Sequence, residues 1–84
     1  LSTGPARRRL LHLLRRLAEH AGADDTIWLP RREEIGAMLD MTIETASRLV
    51  SALRREGVLT LLPGRCAVLD RNALRKALLA EGAA

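Results

Sequence analysis

The chain is almost free of aromatic residues: it has no tyrosine and no phenylalanine, and Trp28 is its only aromatic side chain. Binders of single-stranded nucleic acid stack bases on aromatic platforms, so this scarcity excludes that mode. Cysteine is as rare. With Cys66 alone, an internal disulfide is impossible and a cysteine-based zinc site lacks its partners. No apolar run approaches the roughly 20 residues needed to span a bilayer, and the first residues carry no signal-peptide pattern. The expectation is a cytoplasmic protein with no membrane partner. Lysine is scarce too: Lys76 is the only one among 14 basic residues, the other 13 being arginine, and 10 acidic residues leave a net charge of +4. Such a domain suits phosphate, although a GC-rich coding bias produces the same preference.

What is present is ordinary globular composition, 48% hydrophobic and 29% charged over 84 residues. A chain this short buries about 60 to 65% of its unfolded surface, enough for one modest core. A deep cleft between two lobes is therefore not expected. No Ser/His/Asp triad, paired-carboxylate site or glycine-rich phosphate loop can be assembled, so no catalytic residue, metal site or cofactor is assigned. His12 and His20 lie about 12 Å apart along one helix, too far for a shared metal.

Residues 1–4 read as a lead-in, and Pro5 suits the first turn of a helix. Leu10, Leu14, Leu17 and Ala21 then recur at helical steps, which predicts an amphipathic helix over 6–21, stopped at Gly22. The run 26–29, ended by Pro30, reads as a short strand with Trp28 filling the core. Helices are expected over 32–39, with Ile35, Met38 and Leu39 on one stripe, and over 42–56, closed by Gly57. Pro63 and Gly64 split two apolar runs into a hairpin over 58–69. A last helix over 70–80, capped by Asp70, carries Leu74, Leu78 and Leu79. The whole of 1–84 is read as one domain, mostly α with a small antiparallel β-sheet.

The two central helices are separated by too few residues for antiparallel packing and suit a roughly perpendicular pair. Ile35 and Leu39 turn inward, Gly36 is small where the helices cross, Met41 plugs the turn, and Ala46 and Leu49 answer from the second helix. This is the pattern of a helix-turn-helix, and the hairpin supplies a wing. Asp40 stands at the turn position, where a short polar side chain visits the left-handed region more cheaply than most. With Glu44 at 0° on a helical wheel, Arg48 falls near 40°, Ser51 near −20° and Ser47 near −60°, while Ala46, Leu49, Val50 and Leu53 fall between about 140° and 240°. One face is core and the opposite face is polar. An arginine there can donate to guanine O6 and N7, a carboxylate can accept from cytosine N4, and a serine can do either. A simpler reading makes Glu44 and Arg48 a solvent-exposed i,i+4 ion pair.

The segments Leu29-Pro30-Arg31-Arg32-Glu33-Glu34-Ile35-Gly36, Met41-Thr42-Ile43-Glu44-Thr45-Ala46-Ser47-Arg48-Leu49 and Arg54-Arg55-Glu56-Gly57-Val58-Leu59 resemble the C-terminal winged helix of the CRP/FNR family of bacterial transcription regulators. The likeness extends over nearly the whole chain. It implies a winged helix-turn-helix that reads double-stranded DNA, with Glu44 and Arg48 on bases of the half-site. Ser47 before the arginine and Ile43 before the glutamate resemble the FNR branch, which reads TTGAT-like half-sites arranged as an inverted repeat; Ile43 suits a thymine methyl. Thr42, Thr45 and the wing residue Arg65 match positions that touch phosphate, and Arg31 and Arg32 join them as phosphate candidates.

The chain departs from the family in two residues: Arg31 stands where a serine or threonine commonly caps the first motif helix, and Asp40 replaces a glycine. The family's N-terminal sensor and dimerisation helix have no counterpart in these 84 residues. The resemblance therefore implies homodimerisation through that other region, and an RNA polymerase partner, in a longer protein. Cys66 reads as a small buried hydrophobe or, less simply, a redox switch. Arg7-Arg8-Arg9 and Arg15-Arg16 read as a solvated face, a contact to another domain or a DNA-steering cluster. The rival function is a winged helix that binds protein through the Glu44, Ser47 and Arg48 face.

Overall fold

A computed structural model describes residues 4–82. The expected lead-in therefore lies outside the described residues except for Gly4, which already belongs to the first helix. Helix α1 covers Gly4–Ala18, strand β1 Thr26–Trp28, α2 Arg32–Leu39, α3 Ile43–Arg55, β2 Leu59–Leu62, β3 Cys66–Leu69 and α4 Arg71–Ala80. The strands form one antiparallel sheet in the order β1-β3-β2. This is the expected winged helix-turn-helix, with one addition: β3 pairs on both sides, matching Ala67 with Leu61 of the hairpin and with Ile27 of β1.

Helix α1 ends at Ala18, three residues before its expected end. Its last carbonyls turn to tighter i→i+3 bonds, with Glu19 N–H donating to Arg16 O and Ala21 N–H to Ala18 O. The guanidinium of Arg71, at the start of α4, also donates to Ala18 O at 2.8 Å. Its buried face is wider than the expected stripe: Leu10, Leu11, Leu13, Leu14 and Ala18 are buried, whereas Leu17 and Ala21 are only half-buried. A helix packed against α4, α2, α3 and β1 at once needs apolar residues on more than one stripe.

Helix α3, expected over 42–56, covers Ile43–Arg55 with Thr42 and Glu56 as its caps. Thr42 caps it, its hydroxyl accepting from Thr45 N–H at 3.0 Å, and Ala46, Leu49, Val50 and Leu53 are its buried positions. At its far end Gly57 adopts φ 81°, with Val58 N–H donating to Leu53 O and Gly57 N–H to Arg54 O. That pair of bonds closes the helix and sends Val58 directly into the core. Asp70 caps α4 through Ala73 N–H at 3.0 Å.

Four apolar expectations fail, two of them for a plain geometric reason. Trp28 does not fill the core; it is 54% exposed, because Ile27 and Leu29 take the inward side of the strand and alternation turns Trp28 outward. Met38 is 56% exposed, since Ile35, Gly36 and Leu39 complete the inward stripe of the short α2. Leu79 is 58% exposed beside buried Leu78. Cys66 is half-buried, its thiol lying 3.6 Å from Gly64 O.

Candidate nucleic-acid interface

The site begins with the crossing of α2 and α3. A Cβ placed on Gly36 would lie 2.6 Å from Met41 O, so only glycine lets the two helices approach this closely. Asp40 supplies the turn in the left-handed conformation, φ 57° and ψ 56°, and the following N–H of Met41 donates to Gly36 O at 2.9 Å. Arg9 of α1 fastens the corner, its Nε donating to Leu39 O at 2.7 Å. The turn between the two helices is thereby tied to α1.

This corner presents the N-terminal half of α3 to solvent. Ile43, Glu44 and Arg48 are exposed, with Ser47 and Ser51 half-buried beside them, opposite the buried Ala46, Leu49, Val50 and Leu53. The ion pairs among the described residues do not include Glu44 or Arg48, so the simple i,i+4 pair is not formed. Thr42 and Thr45 sit at the helix start, the Thr42 hydroxyl donating to the Thr45 hydroxyl at 3.0 Å. The dipole and free amides of that end favour an anion.

Arg65, Arg31 and Arg32 gather elsewhere, around a cavity of about 130 Å³ between the wing turn and the start of α2. Arg65 has φ 65°, and its guanidinium stacks 4.1 Å from the centre of the Trp28 ring. Its Nη2 donates to Glu34 Oε1 at 2.5 Å, while its Nε is buried without a partner. The Arg31 side chain carries no acceptor and cannot cap α2 as a serine would. The start of α2 is held instead by Glu34, whose Oε1 accepts from Arg31 N–H at 2.7 Å.

Glu34 and Trp28 are the members of this region that the sequence reading missed. A glutamate at the third position of a helix is a known partner of the N-cap amide, so the spacing Arg31 to Glu34 carried the signal for one of its two bonds. The pairing of Trp28 with Arg65 carried none, because it depends on β1 lying beside β3.

The arginine clusters of α1 divide. Arg8, Arg15 and Arg16 are exposed, but Arg7 bridges Glu56 at 2.7 Å and Glu81 at 3.1 Å. Hydrogen bonding to Glu56 foremost, with Glu81 adding to it, holds the Arg7 guanidinium still more firmly in its charged form than usual. Hydrogen bonds from Thr26, side chain first and backbone N–H second, hold the exposed Asp24 carboxyl below the ordinary carboxylate value. Among the described residues, no cluster of three His, Cys, Asp or Glu side chains could hold a metal ion, and no helix is long and apolar enough to cross a membrane.

Comparison with known proteins places these features in a wider set. A family model described as a Crp-like helix-turn-helix domain matches residues 8–77. The chain is 40% identical over 62 residues to the nitrogen fixation regulation protein FixK of Bradyrhizobium diazoefficiens, an alignment covering 73% of this chain and 26% of that protein. The solved structure of FixK2 from Bradyrhizobium japonicum aligns with a TM-score of 0.73 at 32% identity, over 84% of this chain and 37% of that one. The catabolite activator protein of Thermus thermophilus aligns with a TM-score of 0.72 at 33% identity, over 100% of this chain and 38% of that one. The chain thus spans 26% of the curated relative's length and under two fifths of either solved structure.

Proposed function

This chain belongs to the family of Crp-like helix-turn-helix domains, and from that membership we propose that it is the double-stranded DNA-binding output domain of a larger CRP/FNR-type transcription regulator, not an enzyme. The observation that carries the reading is the outer face of α3, where Glu44 and Arg48 stand exposed near the helix N-terminus and, among the described residues, in no ion pair.

A recognition helix inserts its first turns into the major groove. Arg48 then donates to guanine O6 and N7, Glu44 accepts from cytosine N4, Ile43 packs on a thymine methyl, and Ser47 adjusts the choice between them. A glutamate among phosphates opposes general affinity, so its place at this tip favours a base-reading role. Thr42, Thr45, Arg65, Arg31 and Arg32 set the register by contacting phosphates. Ser47 and Ile43 favour a TTGAT-like half-site of the FNR type, repeated in inverted order. The reading assigns no cofactor to these residues. It places the full regulator in the cytoplasm as a homodimer held by a region outside these 84 residues, with RNA polymerase as a further partner.

The test is selection from a random duplex library with the domain artificially dimerised. The expected outcome is an inverted repeat with TTGAT-like arms. A different enriched motif removes the FNR-type assignment and leaves DNA binding standing. Enrichment of no sequence overturns specific recognition and turns the same face over to a protein partner.

A further inference from the structure

We infer that Glu34 is a positioning residue of the DNA interface, its carboxylate holding the wing cation Arg65 at the N-terminus of α2 where a backbone phosphate would otherwise sit. The inference rests on the DNA-binding reading above and adds to it a residue that opposes indiscriminate binding.

A single oxygen does the work. Glu34 Oε1 accepts from Arg31 N–H at 2.7 Å and from Arg65 Nη2 at 2.5 Å. The first donor is the kind of helix-terminal amide that binds anions, and the second is the wing's own arginine. A carboxylate in that position occupies the two donors that a phosphate oxygen would need. Arg65 is constrained from two further directions, by its left-handed backbone at φ 65° and by the Trp28 ring 4.1 Å from its Cζ. Among the described residues its buried Nε has no acceptor, so this arrangement leaves that donor of the guanidinium unused.

The consequence is a competition. Each phosphate that an arginine neutralises releases counterions and strengthens binding to any sequence, with a salt slope of about 0.9 per contact. While Glu34 neutralises Arg65, that sequence-independent contribution is suppressed, and a duplex must displace or share the carboxylate to recover it. Glu34 therefore lowers affinity for arbitrary DNA more than for a site that α3 also reads.

The test uses this chain, with Glu34→Gln as the principal variant. Glutamine keeps an oxygen to accept from Arg31 N–H while removing the charge that holds Arg65. Binding to a random-sequence duplex is followed by fluorescence anisotropy across a salt series, with circular dichroism as the check on folding. The expected result is severalfold tighter binding at low salt, a log K against log salt slope steeper by up to about 0.9, and a changed Trp28 emission in the free protein. Glu34→Asp, which keeps the charge, should lie nearer the wild type in slope. Arg65→Ala should flatten the slope more in the Glu34→Gln background than in the wild type. A role confined to starting α2 predicts a lower melting temperature with slope and emission unmoved, and that result overturns the inference. A wild-type chain that binds no duplex overturns the DNA reading and this role together, whereas intact wild-type binding with an unchanged Glu34→Gln slope overturns this role alone.

Discussion

Gly36 and Met41 meet at backbone distance: a methyl group on the first would be driven to 2.6 Å from the carbonyl oxygen of the second. The opposing atom belongs to the main chain of the turn and cannot swing aside as the tip of a side chain could. Gly36→Ala is therefore expected to push α3 away from α2 and to destabilise the domain by about 1–3 kcal/mol, the usual range for overpacking. Urea denaturation measures the loss, and the tilt of α3 should weaken specific DNA binding in parallel.

Asp40 poses the converse case. It holds φ 57° as a non-glycine residue, and among the described residues its side chain makes no hydrogen bond that offsets the strain. A glycine at this position would relieve a left-handed cost of about 1–2 kcal/mol and add an unfolded-state entropy cost of about 0.5–1 kcal/mol. Asp40→Gly should raise stability by roughly 0.5 kcal/mol, read as a higher urea midpoint with an unchanged denaturant slope. A lower midpoint would show that the carboxylate stabilises the turn.

Arg48 and Arg65 should fail in different ways. Arg48→Ala is expected to cost about 1–3 kcal/mol on the selected site and to relax choice at one base pair, with little change on random duplex. Arg65→Ala should weaken every sequence and flatten the salt slope. Anisotropy on specific and random duplexes separates the two; proportional losses in both variants would refute the division of labour.

Asp24 provides a pH dependence. Bonds from Thr26, led by its side chain, depress the folded-state carboxyl below 3.8. A depressed acid contributes stability that is present above its unfolded value and is lost as pH falls through the folded one. A carbon-detected NMR titration should place the Asp24 midpoint below that of an unperturbed aspartate, and Asp24→Asn should show a shallower fall of melting temperature with acid.

The helices that carry function were the most legible part of the chain, because their physics is local. In α3, Ala46, Leu49, Val50 and Leu53 are spaced at the helical period and all are buried, and Thr42 and Gly57 end it by capping rules that act within a few residues. The left-handed Asp40 followed from its place at the turn of the helix-turn-helix together with its short polar side chain. Trp28 was misplaced because an isolated three-residue strand does not reveal which of its faces meets the sheet. The intramolecular bonds of Arg7 and Arg9 are not legible in a cluster that reads as a solvated face, a contact to another domain or a DNA-steering patch, since their acceptors lie 30 to 74 residues further along the chain. Glu34 was half legible: its bond to Arg31 N–H spans three residues, whereas its bond to Arg65 spans 31.

The bridge from Arg7 to Glu81 has a consequence for biosynthesis. These partners are 74 positions apart, so α1 cannot complete its polar fastening until nearly the last residue described has been made. Its other acid, Glu56, arrives earlier, after the recognition helix, and can hold Arg7 in the interval. A nascent chain halted before α4 would expose the apolar side of α1 that Leu74, Ala77 and Leu78 cover in the finished domain. The helix-turn-helix would then already be synthesised on a scaffold still open at its back, closed only when α4 docks.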